Sequence, residues 1–303
     1  MSKLLARFGV PVLTVLALAG CGSSSSSSTT SSTASTAATT TATAINSSIA
    51  QLVPAAIKSK GTLTVATEAQ YAPNEFIAPD GHTIIGMDAD IMKALGEVMG
   101  LQVKLVNSNF ETIIPGLAAG RYDVGASSFT DTKEREKTVE FVDYYTAGIS
   151  FYAKSTSEPG VTELADLCGK TVAVEKGTTE QEESQAQGKA CTKEGKKAVT
   201  ALIFPGQDAV NLAVSSGRAE VGMADSPVAD YQVAQSKGAF KMIGKAFGLA
   251  PYGLAIPKGS GLTAPIAAAL KELIANGTYT KILTKWGLQS GAISTVTIDG
   301  AKS

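Results

Sequence analysis

Gly120-Arg121-Tyr122-Asp123-Val124-Gly125 returns, at an offset of 97, as Gly217-Arg218-Ala219-Glu220-Val221-Gly222. In both places a helical pattern stops at glycine and a short β-type run follows. A second word, Thr64-Val65-Ala66-Thr67-Glu68, returns at an offset of 107 as Thr171-Val172-Ala173-Val174-Glu175. The two words come in the same order, which points to two lobes of related topology.

Outward from these words the chain alternates strand and helix. Strands at Leu63–Ala66, Leu101–Val106 and Tyr122–Gly125 are separated by helices at Ile91–Met99 and Thr112–Ala119. The pattern restarts with strands at Thr171–Val174, Val199–Phe204 and Glu220–Met223, separated by helices at Thr179–Gln187 and Asp208–Ser216. Such alternation predicts an α/β fold, with sheets covered by helices. In open α/β sheets, ligands bind beyond the carboxyl ends of the strands. Residues just after each word are therefore expected to face a cleft: Glu68 with Tyr71, Glu175 with Gly177-Thr178, Ser127-Ser128-Phe129-Thr130, and Ala224-Asp225.

The first twenty residues set the compartment. Lys3 and Arg7 form a basic head, and the apolar run Val10–Ala19 is shorter than the roughly 20 residues that span a bilayer as a helix. Residues 1–20 are expected to be a secretory signal peptide. Leu18-Ala19-Gly20-Cys21 resembles the bacterial lipobox, which implies lipidation at Cys21 and an extracytoplasmic protein held at the membrane by its lipid alone. The Ser/Thr-rich stretch that follows has no side chains to build a core, so 21–50 is expected to be a solvated tether.

Charge excludes one class of partner. The chain has 26 Lys+Arg, 27 Asp+Glu and a formal charge of -1. Loss of Lys3 and Arg7 takes this to -3, and no basic patch interleaves with aromatics, so nucleic acid is not an expected partner. With Cys21 assigned to the lipid, Cys168 and Cys191 remain in an oxidising compartment and are expected to form a disulfide, two buried thiols being the alternative. Two cysteines and the single His82 supply neither a zinc site nor a histidine-based catalytic pair. No metal or cofactor is expected.

From Gly61 to Gly287 the chain resembles the polar amino acid-binding proteins of ABC importers. The resemblance is carried by Tyr71-Ala72-Pro73-x-Glu75-Phe76, Gly86-Met87-Asp88-Ala89-Asp90 and Phe110-x-x-Ile113-Ile114-Pro115-x-Leu117. Further on it is carried by Thr130-x-Thr132-x-x-Arg135, Val172-Ala173-Val174-x-x-Gly177-Thr178 and Asn276-Gly277-Thr278-Tyr279 with Lys285-Trp286. It implies a two-lobed type II periplasmic binding protein fold, each lobe a mixed sheet flanked by helices, joined by two crossover strands. Lobe 1 is then 51–150 with 250–290, lobe 2 is 151–249, and 291–303 is a C-terminal tail. The crossovers are expected at Thr146–Lys154 and Phe247–Ile256, and the helices Leu262–Asn276 and Thr278–Trp286 are expected to pack back on lobe 1.

The resemblance also implies roles. Arg135 is expected to clamp the α-carboxylate of an amino acid and Asp225 to hold its α-ammonium. Ser128, Thr130 and Thr178 are expected to bond the ligand's main-chain groups, and Tyr71 and Phe110 to sandwich its body. A guanidinium suits a carboxylate because its fork makes two parallel hydrogen bonds. Asp131 reads as a helix N-cap with Glu134 three residues on, and Thr178 or Thr179 as the cap of the helix beginning near Glu180.

Glu68 and Glu175 end equivalent strands, so both are expected to reach the pocket and favour a basic ligand, although Lys176 is placed to pair with either. Asn74 departs from the aromatic usual in its motif. The implied function is capture of a polar, possibly basic, L-amino acid by hinge closure, by a monomer that serves importer permease subunits. Two alternatives stay open: an enzyme resembling the cyclohexadienyl dehydratases, with Glu180 as general acid, and a ligand-sensing module.

Overall fold

The structure, a computed structural model, describes residues 45–302. The expected signal peptide, the lipidation site Cys21 and most of the expected tether lie outside the described residues. The expected tether ends short of 50, because Ser47–Leu52 is a helix, α1. Asn46 caps it by accepting from the backbone N–H of Ser48 (3.2 Å) and Ile49 (3.4 Å), and Ile49 and Val53 are buried in the core of the first lobe.

The first lobe follows as α2 (Ala55–Lys60), β1 (Thr62–Thr67), β2 (Gln70–Tyr71), β3 (Glu75–Ile77), β4 (Ile84–Ile85), α3 (Met87–Met99), β5 (Gln102–Asn107), α4 (Phe110–Ala118) and β6 (Val124–Gly125). The long strand β7 (Val139–Lys154) leaves it. The second lobe holds β8 (Thr171–Glu175), α5 (Thr179–Lys193), β9 (Thr200–Phe204), α6 (Gln207–Ser215), β10 (Val221–Asp225) and α7 (Ser226–Gln235). A second long strand, β11 (Phe240–Pro257), returns, and α8 (Thr263–Ala275) and α9 (Thr278–Trp286) close against α3.

The strand order of the main sheet, β5-β1-β6-β11-β7-β10-β8-β9, makes the internal repeat explicit. β1 pairs in parallel with β5 and β6, and β8 pairs in parallel with β9 and β10. Each trio is closed by a long antiparallel strand, β11 beside β6 and β7 beside β10. The two sequence words thus occupy equivalent strands, β1 with β8 and β6 with β10. β7 and β11 pair antiparallel from Val139–Pro257 to Lys154–Phe240, with register breaks between Ile243 and Phe247, Phe247 and Ala250, and Tyr252 and Gly253. These two strands are the crossovers: β7 begins seven residues before the expected stretch and ends with it at Lys154, and β11 extends beyond its expected stretch at both ends.

Burial explains why these residues form these strands. Side chains alternate across β8: Val172 and Val174 pack with Phe151, Leu167 and Val221 on one face, and Ala173 packs with Tyr152, Val210 and Val214 on the other. Fully burying such an aliphatic side chain contributes about 1.5–3 kcal/mol. In the first lobe Leu63, Val65, Ile91, Leu95, Leu254, Ile266 and Leu270 form one continuous core. α3 begins four residues earlier than the apolar periodicity predicts, because Asp88 and Asp90 suit the positive end of a helix dipole.

Cys168 and Cys191 are bonded and close a separation of 23 residues that ties α5 to the turn before β8. Closing a loop of that length is worth about 3 kcal/mol in chain entropy. The Cys168→Ser/Cys191→Ser pair is therefore expected to lower the chemical-denaturation free energy by about that amount, with ligand affinity changed less than three-fold.

The C-terminal residues are more than a tail. Val142 bridges Ile298, the Asp143 N–H donates to the Thr297 carbonyl (3.0 Å), and the Phe141 N–H donates to Asp299 Oδ1 (2.8 Å). They add an edge partner to the first crossover.

Candidate functional site

The carboxyl ends of β1, β6, β8 and β10 converge between the lobes. Glu68 follows β1, Ser127 and Ser128 follow β6, and Glu175 and Asp225 are the last residues of β8 and β10. Thr178 caps α5, its Oγ1 accepting from the Gln181 N–H (3.3 Å) and donating to the Glu175 carbonyl (2.8 Å). Together with Tyr71, Phe110, Thr130 and Arg135 they line one narrow space of about 10 Å³ between the lobes, room for about one water molecule. All nine residues expected at the site are brought together. Ser127, Thr179 and Glu180 complete the wall.

Arg135 is held from two lobes. Its Nη1 donates to the Thr130 carbonyl (2.7 Å) and its Nη2 to the Gly177 carbonyl across the cleft (2.9 Å). The guanidinium lies 5.4 Å from the Phe110 ring centroid and 5.7 Å from that of Phe129, and these two rings stack at 4.6 Å. Among the described residues it forms no ion pair. Burial pushes its pKa down, while Glu182, Glu180 and Asp225 push it up.

Gly177 has φ +81°, and a Cβ there would meet Glu111 Cβ at 2.9 Å. Only glycine takes that backbone at so close an approach.

Tyr71 makes a second lobe-to-lobe contact. Its hydroxyl donates to Asp225 Oδ2 (2.9 Å) and accepts from the Asp225 N–H (3.1 Å).

The acids are the unusual part. Glu68, Glu175 and Glu180 are each 2 % exposed and Asp225 is 6 % exposed. Among the described residues, neither carboxyl oxygen of Glu175 has a hydrogen-bond partner, and Oε1 of Glu180 has none. Lys176 pairs with Glu111 at 3.5 Å, so it neutralises neither Glu68 nor Glu175.

Loss of water raises all four. Glu68 is pushed up to about 7 by burial, with smaller pushes from Asp208 and Glu111. Burial, then repulsion from Glu68 and Glu180, carries Glu175 to about 10. Asp225 is raised well above the carboxylate range by burial and Glu180, and Glu180 is itself raised by burial. Four carboxyl groups around one guanidinium form a space short of positive charge, which a ligand with two cationic groups and one carboxylate would supply.

Some expectations need correcting. Asp131 does not cap the segment bearing Arg135, because that segment is a single 3-10 turn, Arg135–Lys137, and Thr132 Oγ1 accepts the Arg135 N–H at 3.2 Å. Asp131 is instead buried, and burial and then the charge of Glu136 raise its carboxyl to about 6. Asn74, which departs from the aromatic usual in its motif, is fully buried and donates to Ser128 Oγ (2.9 Å). Glu180 is a first-turn residue of α5, as expected, and also faces the pocket. Trp286 stays out of the pocket and donates from Nε1 to Asp90 (2.9 Å).

Two lobes joined by paired long strands, with an enclosed polar space between them, define a type II periplasmic binding protein. Residues 63–289 match the model of the bacterial extracellular solute-binding proteins, family 3, and the chain belongs to that family. It is 35% identical over 252 residues to the arginine-binding protein ArgT of Corynebacterium glutamicum, covering 83% of this chain and 82% of that one. An ancestral arginine-binding protein bound to arginine is similar at a TM-score of 0.69 and 34% identity, over 75% of this chain and 98% of that one. A second solved structure is an ancestral amino acid-binding protein described as a precursor of cyclohexadienyl dehydratase. It has a TM-score of 0.66 and 34% identity, and the match covers 76% of this chain and 97% of that one. Among the described residues no helix is long and apolar enough to cross a membrane.

Proposed function

We propose that this chain captures a basic L-amino acid, arginine foremost, between its lobes and delivers it to the membrane subunits of an ABC importer. The observation that carries this is the set of Glu68, Glu175, Glu180 and Asp225 around Arg135 with no lysine among them. Arg135 takes the α-carboxylate, and Asp225, with Ser128 and Thr130, takes the α-ammonium end. Tyr71 and Phe110 flank the side chain, the Thr178 end of α5 adds a positive dipole, and Glu68, Glu175 and Glu180 receive the distal cation. The arginine-binding names of the relatives favour the same ligand class. The protein acts as a monomer, held by a lipid on Cys21 outside the cytoplasm.

Closure follows from differential contact. Ligand on one lobe completes its bonds only when the other arrives, so binding favours the closed state by the affinity difference between open and closed. A thermal-shift series tests the assignment. Ligand at 100 times its dissociation constant adds about 2.7 kcal/mol, so arginine or lysine is expected to raise Tm while glutamate leaves it unchanged. A rise with glutamate alone would discard the basic-ligand assignment. A buried Glu180 with one carboxyl oxygen facing no partner is the feature that suits elimination chemistry; intact recovery of prephenate and arogenate after incubation is the expected outcome.

A further inference from the structure

Behind the pocket wall lies a second pair of acids. Glu75, at the start of β3, is 1 % exposed, and Asp88, in the first turn of α3, is fully buried. Neither lines the cavity. Asp88 receives two close donors, the Ser128 N–H at 2.8 Å and the Tyr144 hydroxyl at 2.7 Å. Glu75, buried and facing that carboxylate, is raised well above its usual range. Burial raises Asp88 as well, so the pair shares one proton, and the two donors on Asp88 favour its resting on Glu75.

The serine hydroxyls in front of them are committed. Ser127 Oγ donates to Glu75 Oε1 (3.0 Å) and accepts from the Glu68 N–H (2.9 Å). Ser128 Oγ donates into the pair (3.2 Å to Glu75 Oε2, 3.5 Å to Asp88 Oδ2) and accepts from Asn74 Nδ2 (2.9 Å). Ser128 sits at φ 49°, a conformation disfavoured for a residue with a Cβ, and the bond from its N–H to Asp88 holds it there. A hydroxyl has one proton and two lone pairs, so each serine has only an acceptor left to offer the cleft.

We propose that Glu75 and Asp88 are positioning residues for ligand selection: they turn the Ser127 and Ser128 hydroxyl protons inward, so that this wall accepts hydrogen bonds and donates none. The inference rests on the proposed basic-ligand function and gives it a mechanism. A carboxylate side chain has only acceptors to set against Ser127, and a neutral amide leaves its carbonyl unmatched there, whereas ammonium and guanidinium groups find acceptors on every side.

Two substitutions at Glu75 separate positioning from bulk. Glu75→Gln reproduces the protonated carboxyl, its amide N–H donating to Asp88 and its carbonyl accepting from Ser127. It is expected to keep the arginine-over-glutamine affinity ratio within about two-fold by calorimetry. Glu75→Met keeps the length but frees the Ser127 proton, and the same ratio is expected to fall roughly ten-fold or more. A Glu75→Gln variant that loses the ratio, or a Glu75→Met variant that folds and keeps it, overturns the proposal. The carboxyl carbon signals of the unaltered, ligand-free protein give a readout independent of folding in the variants and of ligand identity. Glu75 is expected to be protonated and Asp88 ionised at pH 7, and an ionised Glu75 overturns the proposal. If the unaltered protein binds no basic amino acid, the proposed function fails, and the carboxyl signals still decide whether the pair holds the serines as stated.

Discussion

Arg135→Lys is expected to weaken arginine binding at least a hundred-fold while the ligand-free protein folds normally. The guanidinium spends one edge on the Thr130 and Gly177 carbonyls, which aims the rest of its fork into the cleft. Lysine keeps the charge but has no plane, so it cannot hold both carbonyls and still meet a carboxylate with two parallel bonds. Losing two charge-assisted hydrogen bonds costs about 1.5–3 kcal/mol each, which at 1.4 kcal/mol per decade exceeds two decades. Calorimetry with arginine, alongside circular dichroism of the free variant, measures it. Affinity within ten-fold of the unaltered protein would remove Arg135 from the carboxylate-binding role.

The second large effect is the pH dependence of arginine binding. In the closed cleft, Glu68 titrates near 7 and Glu175 near 10, against an ordinary 4.5. The folded, ligand-free form therefore binds more protons than the unfolded chain above pH 4.5, and its stability falls as pH rises through those values. For Glu68 alone, carrying the carboxyl from 4.5 to about 7 corresponds to about 3 kcal/mol.

A cationic side chain reverses the preference, because it binds the ionised acids and expels their protons. The expected result is a ligand-free Tm lower at pH 8 than at pH 5, and an arginine-induced rise in Tm that grows over the same interval. Glutamine, with no distal charge, is expected to give a rise that barely changes. Heats of arginine binding measured in buffers of different ionisation enthalpy are expected to report released protons at pH 7. An arginine-induced rise that shrinks toward pH 8 would mean that Glu68 and Glu175 do not face the ligand's cation.

The repeated words were a sound guide to topology because they mark places where the backbone has few options. A glycine ends the helix, a short apolar strand follows, and its last residue emerges at the sheet's carboxyl edge. That logic places Glu68, Glu175 and Asp225 without any knowledge of packing. Arg135 was less accessible: among Lys133, Glu134, Glu136 and Lys137 it looks like one more solvated charge, and only the family motif singles it out. Its cap was misassigned because Asp131 and Thr132 are equally plausible capping residues, and burial of Asp131 decides between them.

Glu75 and Asp88 stand in two of the motifs that carry the family resemblance, but nothing in the sequence sets one against the other. An acid in a three-residue strand and another in a helix's first turn both read as ordinary surface residues until tertiary packing sets them against each other. Asn74 is the same case, since its role depends on the hydroxyl it meets 54 residues away. The start of α1 was hidden by composition, because Asn46-Ser47-Ser48 continues the polar run before it while acting as a helix start.

The Tyr71–Asp225 and Arg135–Gly177 bonds join the lobes through protein atoms alone. A clamp that latches onto itself spends part of its time shut around nothing, and a receptor that reads only outer shape takes that empty form for cargo. In the proposed import role, the crowded acids oppose such false closures at neutral pH, because shutting without a cation forces protons onto them. The charges that choose the solute thereby also limit how often transport is triggered with no solute aboard.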